Sequence, residues 1–272
     1  MGENLHPQSK SNRKYFKVKL LIIFLKKIEI LSAISMRIVY LTGKSKYLIH
    51  PKHLIKNAKL WYKNYLNPSD AILDLGCGTG RDLQIASHKV KKAIGADIDE
   101  KQIRNATHEA SLKKLLNIKF MVIDANKKLP FKDDSFDKVI VSDVLEHLDN
   151  RNLAINEVKR VLKNKGLLFL VTDNPNTSWK KIQKRHGLFY FADPDHRYEY
   201  PKEEILKILK NKKFSILSCE ISTYDTPLKG VIDLIGGISL SFYKELSNWR
   251  AKMAIKHPED ATGFMIVAQI SK

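Results

Sequence analysis

Ile72-Leu73-Asp74-Leu75-Gly76-Cys77-Gly78-Thr79-Gly80 decides how this chain is read. The apolar run 71–75 has the length of a buried strand and stops at a glycine-rich turn. A helical pattern starts near Thr79. In an open parallel sheet, ligands bind beyond the carboxyl ends of the strands. Glycines at such an end let the backbone turn sharply and approach a ligand with no Cβ in the way. The spacing is GxGxG, whereas a dinucleotide fingerprint requires GxGxxG and a phosphate loop requires GK[ST]. Arg81 follows, with no Lys-Ser/Thr pair. Cys77 reads as a small residue in a tight turn, without a redox role.

Working outward, strands and helices alternate. Residues 92–96 read as a second strand that runs into Asp97, followed by a helix over 100–116. Residues 118–123 form a third strand closed by Asp124, and 136–141 a fourth. A helix over 151–162 and a strand over 166–171 follow. After a helix over 201–209 come strands at 214–221 and 264–270. Alternation of this kind predicts an α/β fold with a doubly wound, mostly parallel sheet of seven strands covered on both faces. Three of its strand ends carry an acid: Asp74, Asp97 and Asp124. The turn Asn67-Pro68-Ser69-Asp70 marks the entry to this domain, placed at 70–272. Residues 1–69 then form a basic, helical N-terminal extension. Residues 222–261, ahead of the last strand, form a helical cap insertion, because so long a connection carries its own structure or a function.

Asp74-Leu75-Gly76-Cys77-Gly78-Thr79-Gly80 with Ile94-Gly95-Ala96-Asp97-Ile98-Asp99-Glu100 resembles the class I S-adenosylmethionine-dependent methyltransferases, in particular the quinone-biosynthesis branch. Leu129-Pro130-Phe131 through Phe136-Asp137, then Leu145-Glu146-His147-Leu148 and His196-Arg197-Tyr198, match further runs of that branch. The resemblance covers about 70–221 and, weakly, 262–272. It implies a Rossmann-like methyltransferase domain with S-adenosyl-L-methionine as cofactor. By the same resemblance Gly76, Gly78 and Gly80 cradle the methionine part of the donor and Asp74 receives its ammonium group. Asp97 accepts from the ribose hydroxyls, and Ile98 packs on the adenine. Asp124 accepts from the adenine amino group, the Ala125 backbone reads the ring, and Ser142 lies beside the methionine segment.

Methyl transfer needs mainly an acceptor lone pair aligned behind the methyl carbon; a base helps only where the acceptor is a hydroxyl. His147 and His196 are the candidate bases. Asp143-x-x-Glu146-His147 resembles the ExxEH metal-ligand pattern of some quinone O-methyltransferases, but Asp replaces its first Glu; the cluster reads as a capped helix start and no metal is assigned. Asp173-Asn174-Pro175-Asn176 lacks the second proline and the aromatic of DNA-base amino methyltransferases and reads as a turn.

The chain has 272 residues, 48 Lys and Arg against 29 Asp and Glu, and 43% apolar residues, so it is globular and strongly basic, with a formal net charge of +19. Residues 1–69 carry 14 basic and two acidic side chains, whereas 70–177 carry 18 and 16. Such charge points to an anionic partner. Lys26, Lys27, Glu29 and Arg37 interrupt the apolar run 20–41, so it reads neither as a membrane span nor as a signal peptide. Residues 1–14 read as disordered, with helices over 15–42 and 52–66. Lys19, Lys26 and Arg37 fall on one line of a helix, which suits a helix packed on the domain or one lying in a membrane interface. The expected acceptor is small and lipid-like: quinone-like, lipid or lipid-linked glycan. An anionic membrane surface is the second expected partner, met through 15–42 and 227–250. An RNA methyltransferase and a non-catalytic donor-binding protein are the alternatives; for nucleic acid, charge is the whole of the evidence. Two cysteines, Cys77 and Cys219, make no disulfide framework, which suits a cytoplasmic protein, peripheral on the inner face of a membrane.

Overall fold

Side chains of period two sort the central strands onto two apolar faces. Leu73, Leu75, Val139, Val141, Leu168 and Leu170 enter one core cluster. Their neighbours Ile72, Ile140, Phe169 and Val267 enter the other. Strands buried on both sides are what a parallel sheet between helices requires. The computed structural model describes residues 7–46, 48–54 and 60–272; for 7–14 and 53 it describes the backbone alone.

In chain order the described elements are α1 (Pro7–Ile28), α2 (Ile30–Leu41), β1 (Ala71–Leu75), α3 (Arg81–Ser87), β2 (Lys92–Asp97), α4 (Glu100–Leu112), β3 (Ile118–Val122) and β4 (Phe136–Ser142). Then come α5 (Arg151–Val161), β5 (Leu162–Asp173), α6 (Ser178–Arg185), α7 (Lys202–Asn211), β6 (Phe214–Ile221), α8 (Lys229–Ile238), α9 (Leu240–Lys256) and β7 (Gly263–Ile270). The seven strands form one sheet in the order β3-β2-β1-β4-β5-β7-β6, with β7 antiparallel to both its neighbours. The order reverses between β1 and β4, which pair in parallel, and there the carboxyl ends of β1, β2, β4 and β5 open to one side. The expected α/β sheet is therefore present.

Packing divides the chain into two compact units. The sheet unit holds 59–175, 191–222 and 262–272. The accessory unit holds 1–58, 176–190 and 223–261, so the N-terminal helices pack with α6 and with the insertion α8–α9. Residues 1–6 and 55–59 lie outside the described residues, and with them parts of the disorder expected over 1–14 and of the helix expected over 52–66.

Several local expectations need correction. From Pro7 onward the chain is helical, not disordered. The single helix over 15–42 is two, because backbone bonds at Glu29 tighten to the i→i+3 kind: Glu29 N–H donates to Lys26 O at 3.1 Å and Ser32 N–H to Glu29 O at 3.0 Å. The line Lys19–Lys26–Arg37 is thereby broken; Lys26 turns inward to Gln183 Oε1 at 3.2 Å and lies over the Phe189 ring. Where the described residues overlap the helix expected over 52–66, they form short 3-10 turns at Pro51–Leu54 and Lys63–Tyr65. Trp61, Tyr62 and Tyr65 all turn onto Phe169 of β5, Tyr62 stacked at 4.9 Å, so covering the sheet overrides helical periodicity. The helix α6 was not expected. Thr177 caps it, accepting from Lys180 N–H at 3.2 Å, and its hydroxyl donates to Asp225.

Within the accessory unit α8 runs close against the N-terminal helices because of its glycines. A Cβ on Gly230 would overlap the Ile28 carbonyl oxygen, and one on Gly237 would lie 2.9 Å from Ser35 O. Beside them Asp233, fully buried, takes hydrogen bonds from Ser32 and Tyr243 and pairs with His50 Nε2 at 3.0 Å. We expect Gly230→Ala to destabilise this unit by about 1–3 kcal/mol in chemical denaturation, the cost of overpacking against backbone. A gain of about 1 kcal/mol, usual for glycine replaced in an open helix, would show that the helices are not this close.

Candidate functional site

The turn after β1 is built on backbone that side chains rarely adopt: φ is +80° at Gly76, +53° at Gly78 and +67° at Gly80. A Cβ on Gly76 would run into Val144, and one on Gly80 into the Phe120 ring. Gly76 and Cys77 both donate to Ala96 O, at 2.7 and 3.0 Å, which holds the turn against the end of β2. Asp97, at that end, accepts from Gly78 N–H at 2.8 Å and from Asp99 N–H at 2.9 Å. Asp99 then caps α4, accepting from Lys101 and Gln102. One acid thus ties the glycine turn to the start of the next helix. Burial, with Asp74 and Asp97 nearby, pushes the Cys77 thiol up, consistent with a non-redox role.

Asp74 is buried beneath this turn, and its carboxylate has no hydrogen-bond or ion-pair partner among the described residues. Burial first, then Asp82 and Asp97, push it up to about 7. An ammonium group beside it would offset that burial, which is the chemistry the donor's amino-acid end offers. At the end of β3, Asp124 accepts from Asn126 N–H at 2.9 Å and pairs with Lys127 at 3.3 Å; the Asn126 bond leads in holding its carboxyl below the usual range. Ile98 is exposed beside Asp97 and Ala125 buried beside Asp124. Ser142, half-buried, ends β4. The candidate donor residues therefore lie at the ends of β1, β2, β3 and β4. A buried carboxyl pushed up by its surroundings and a cradle that a Cβ would fill both fit S-adenosylmethionine.

The Asp143-x-x-Glu146-His147 cluster does not form the capped helix start expected of it. Leu145–His147 is a 3-10 turn without a side-chain cap, Asp143 stands at φ +53°, and Asp143 and His147 are exposed while Glu146 is fully buried. Glu146 points inward to the end of β5 and to residues beyond it. Its Oε1 accepts from Asp173 N–H at 3.4 Å, its backbone oxygen accepts from Arg197 and Tyr198, and its Oε2 is buried without a hydrogen bond. Ligand atoms of Glu146, Asp173 and His196 lie within 4.8 Å of one another. Burial first, then Asp143, push Glu146 up to about 9, so its carboxyl is held neutral at neutral pH.

His196 is buried, and its Nδ1 lies 2.9 Å from Glu199 Oε1. The His147 ring stands edge-on to it, centroids 4.6 Å apart. The two candidate histidines are brought together, one open to solvent and one paired with an acid. Sequence reading missed Glu199 and Asp173. The signal for Glu199 was its place three residues after His196 and two before Pro201; for Asp173, its place at the end of a central strand.

A family model described as a methyltransferase domain matches residues 66–220. A demethylmenaquinone methyltransferase of Thermotoga maritima is 31% identical over 158 residues, covering 53% of this chain and 65% of that protein. A mitochondrial ubiquinone biosynthesis O-methyltransferase of Rattus norvegicus is 32% identical over 105 residues, 38% of this chain and 30% of that one. The chain spans between 39% and 65% of the first four curated relatives it matches. A solved S-adenosylmethionine-dependent methyltransferase of Methanosarcina mazei has a TM-score of 0.57 at 25% identity, covering 79% of this chain and 99% of that one. The seven-stranded fold is that of the S-adenosylmethionine-dependent methyltransferases. The chain belongs to the methyltransferase-domain family, and S-adenosylmethionine is its cofactor.

Proposed function

We propose that the protein moves a methyl group from S-adenosylmethionine to a lipophilic acceptor: a quinone-like, lipid or lipid-linked glycan compound. The observation that carries this reading is the accessory unit. Segments outside the matched domain, 1–58 and 223–261, pack together into a second unit with a strongly apolar and basic surface. Relatives named for menaquinone and ubiquinone biosynthesis support the same class of acceptor.

The donor supplies a methyl already activated on a sulfonium. In this reading Asp74 takes its ammonium group, Gly76, Gly78 and Gly80 leave room for its methionine segment, and Ser142 lies beside it. Asp97 binds the ribose, Ile98 covers one ring face, and Asp124 with the Ala125 backbone reads the adenine edge. Positioning of this kind lowers a displacement barrier by about 7–11 kcal/mol. Where the acceptor is a hydroxyl, the His147–His196 pair receives its proton, Glu199 orienting His196 through Nδ1.

The test is incubation of a cell extract with the protein and methyl-labelled S-adenosylmethionine, followed by partition between organic solvent, protein and RNA. Label in the organic phase is expected. Label confined to RNA or to water-soluble metabolites would overturn the acceptor class.

A further inference from the structure

Surface chemistry is unequally divided between the two units. The accessory unit has 21 Lys and Arg against seven Asp and Glu, so it holds +14 of the chain's +19. Among the described residues it also holds 18 of the 25 exposed large apolar side chains. Single exposed apolar residues are ordinary; their concentration on the most basic part of a molecule is not.

On α1 the arrangement is ordered. Phe16, Leu20 and Phe24 are 60%, 50% and 61% exposed and follow one another at intervals of four, on one line of the helix. Leu21, Lys17 and Lys27 are exposed alongside. The side turned inward holds Ile22, buried, and Lys26, engaged with Gln183. A helix that merely covers a core turns its lysines out and its phenylalanines in. On α2, Ile30, Ile34 and Leu41 are exposed with Arg37 between them, again on one stripe. No helix among the described residues is long and apolar enough to cross a membrane.

We infer that the outward stripe of α1, Phe16-Leu20-Phe24 with Lys17 and Lys27, docks on the surface of an anionic phospholipid bilayer. Apolar side chains enter the acyl boundary while the lysines meet lipid phosphates, the arrangement of an interfacial helix. Charge complementarity selects an anionic surface, and a continuous stripe of Phe and Leu selects lipid over nucleic acid, which offers phosphates but no apolar depth. The inference extends the acceptor reading, but vesicle binding is measured without turnover, so either can fail alone.

The experiment is flotation of the full chain with phosphatidylcholine vesicles that contain or lack phosphatidylglycerol, across a salt series. Binding to the phosphatidylglycerol vesicles is expected, weakening with salt. The triple variant Phe16→Ser, Leu20→Ser, Phe24→Ser should reduce that partition by at least about tenfold. Its thermal unfolding and adenosylhomocysteine binding should stay unchanged, since the three residues are exposed. Lys17→Glu with Lys27→Glu should reduce binding and flatten its salt dependence. No binding, equal binding to both vesicles, or a triple variant that floats like wild type would each overturn the inference. So would tight RNA binding by a chain that ignores vesicles.

Discussion

Asp97→Ala should weaken adenosylhomocysteine binding more than about tenfold in calorimetric titration, because each hydrogen bond to a charged group contributes about 1.5–3 kcal/mol. The geometry makes the loss larger than that of two ribose contacts. Asp97 also accepts from Gly78 and Asp99, so the alanine variant releases the glycine turn and loosens the start of α4 together. Asp97→Asn separates the two contributions. Its amide oxygen can still accept one backbone bond, so it should keep more of the turn's order while losing charge-assisted contact with the ribose. Binding should therefore fall from wild type through Asn to Ala, with unfolding temperature affected mainly in Ala. Affinity unchanged in both variants would remove Asp97 from the donor site.

The sheet and the strand-end acids were legible because both are local. A short apolar run bounded by turn residues names a buried strand, and a glycine turn at its end names the ligand edge, without knowledge of distant contacts. The strand reading at 214–221 matches the structure residue for residue. What stayed hidden depends on partners far away in sequence. The aromatic segment 61–65 looks helical until Phe169 is placed beneath it. The helix over 15–42 looks continuous, yet it breaks at Glu29, where the backbone bonds tighten. Glu146 reads as one acid of a surface cluster, yet it is buried against Asp173 and the backbone of Arg197 and Tyr198. Lys26 reads as part of a solvent stripe, yet it faces Gln183 from α6, an element that the sequence reading did not contain.

Glu146→Gln should make the protein more stable above neutral pH, a direction that follows from where its proton sits. In the fold Glu146 titrates near 9, against 4.5 for the ordinary carboxyl. As pH rises between those values the unfolded chain gives up this proton and the folded chain keeps it, so folding loses stability with each unit. At pH 7 the accumulated penalty is about 3 kcal/mol at roughly 1.4 kcal/mol per unit, and it stops growing once the folded-state value is passed. Glutamine matches the neutral carboxyl in shape and cannot ionise. The two proteins should be close in stability near pH 4 and diverge steadily up to about pH 9. Asp74, pushed up to about 7, contributes a slope of the same sign over a shorter window, which persists in the variant and ends near neutrality. Denaturant titrations of the cofactor-free chain over this range measure both. Parallel curves would place the Glu146 proton elsewhere. A glutamine variant that is weaker at every pH, and only when divalent cations are present, would mean that Glu146, Asp173 and His196 hold an ion after all and that the carboxylate is charged.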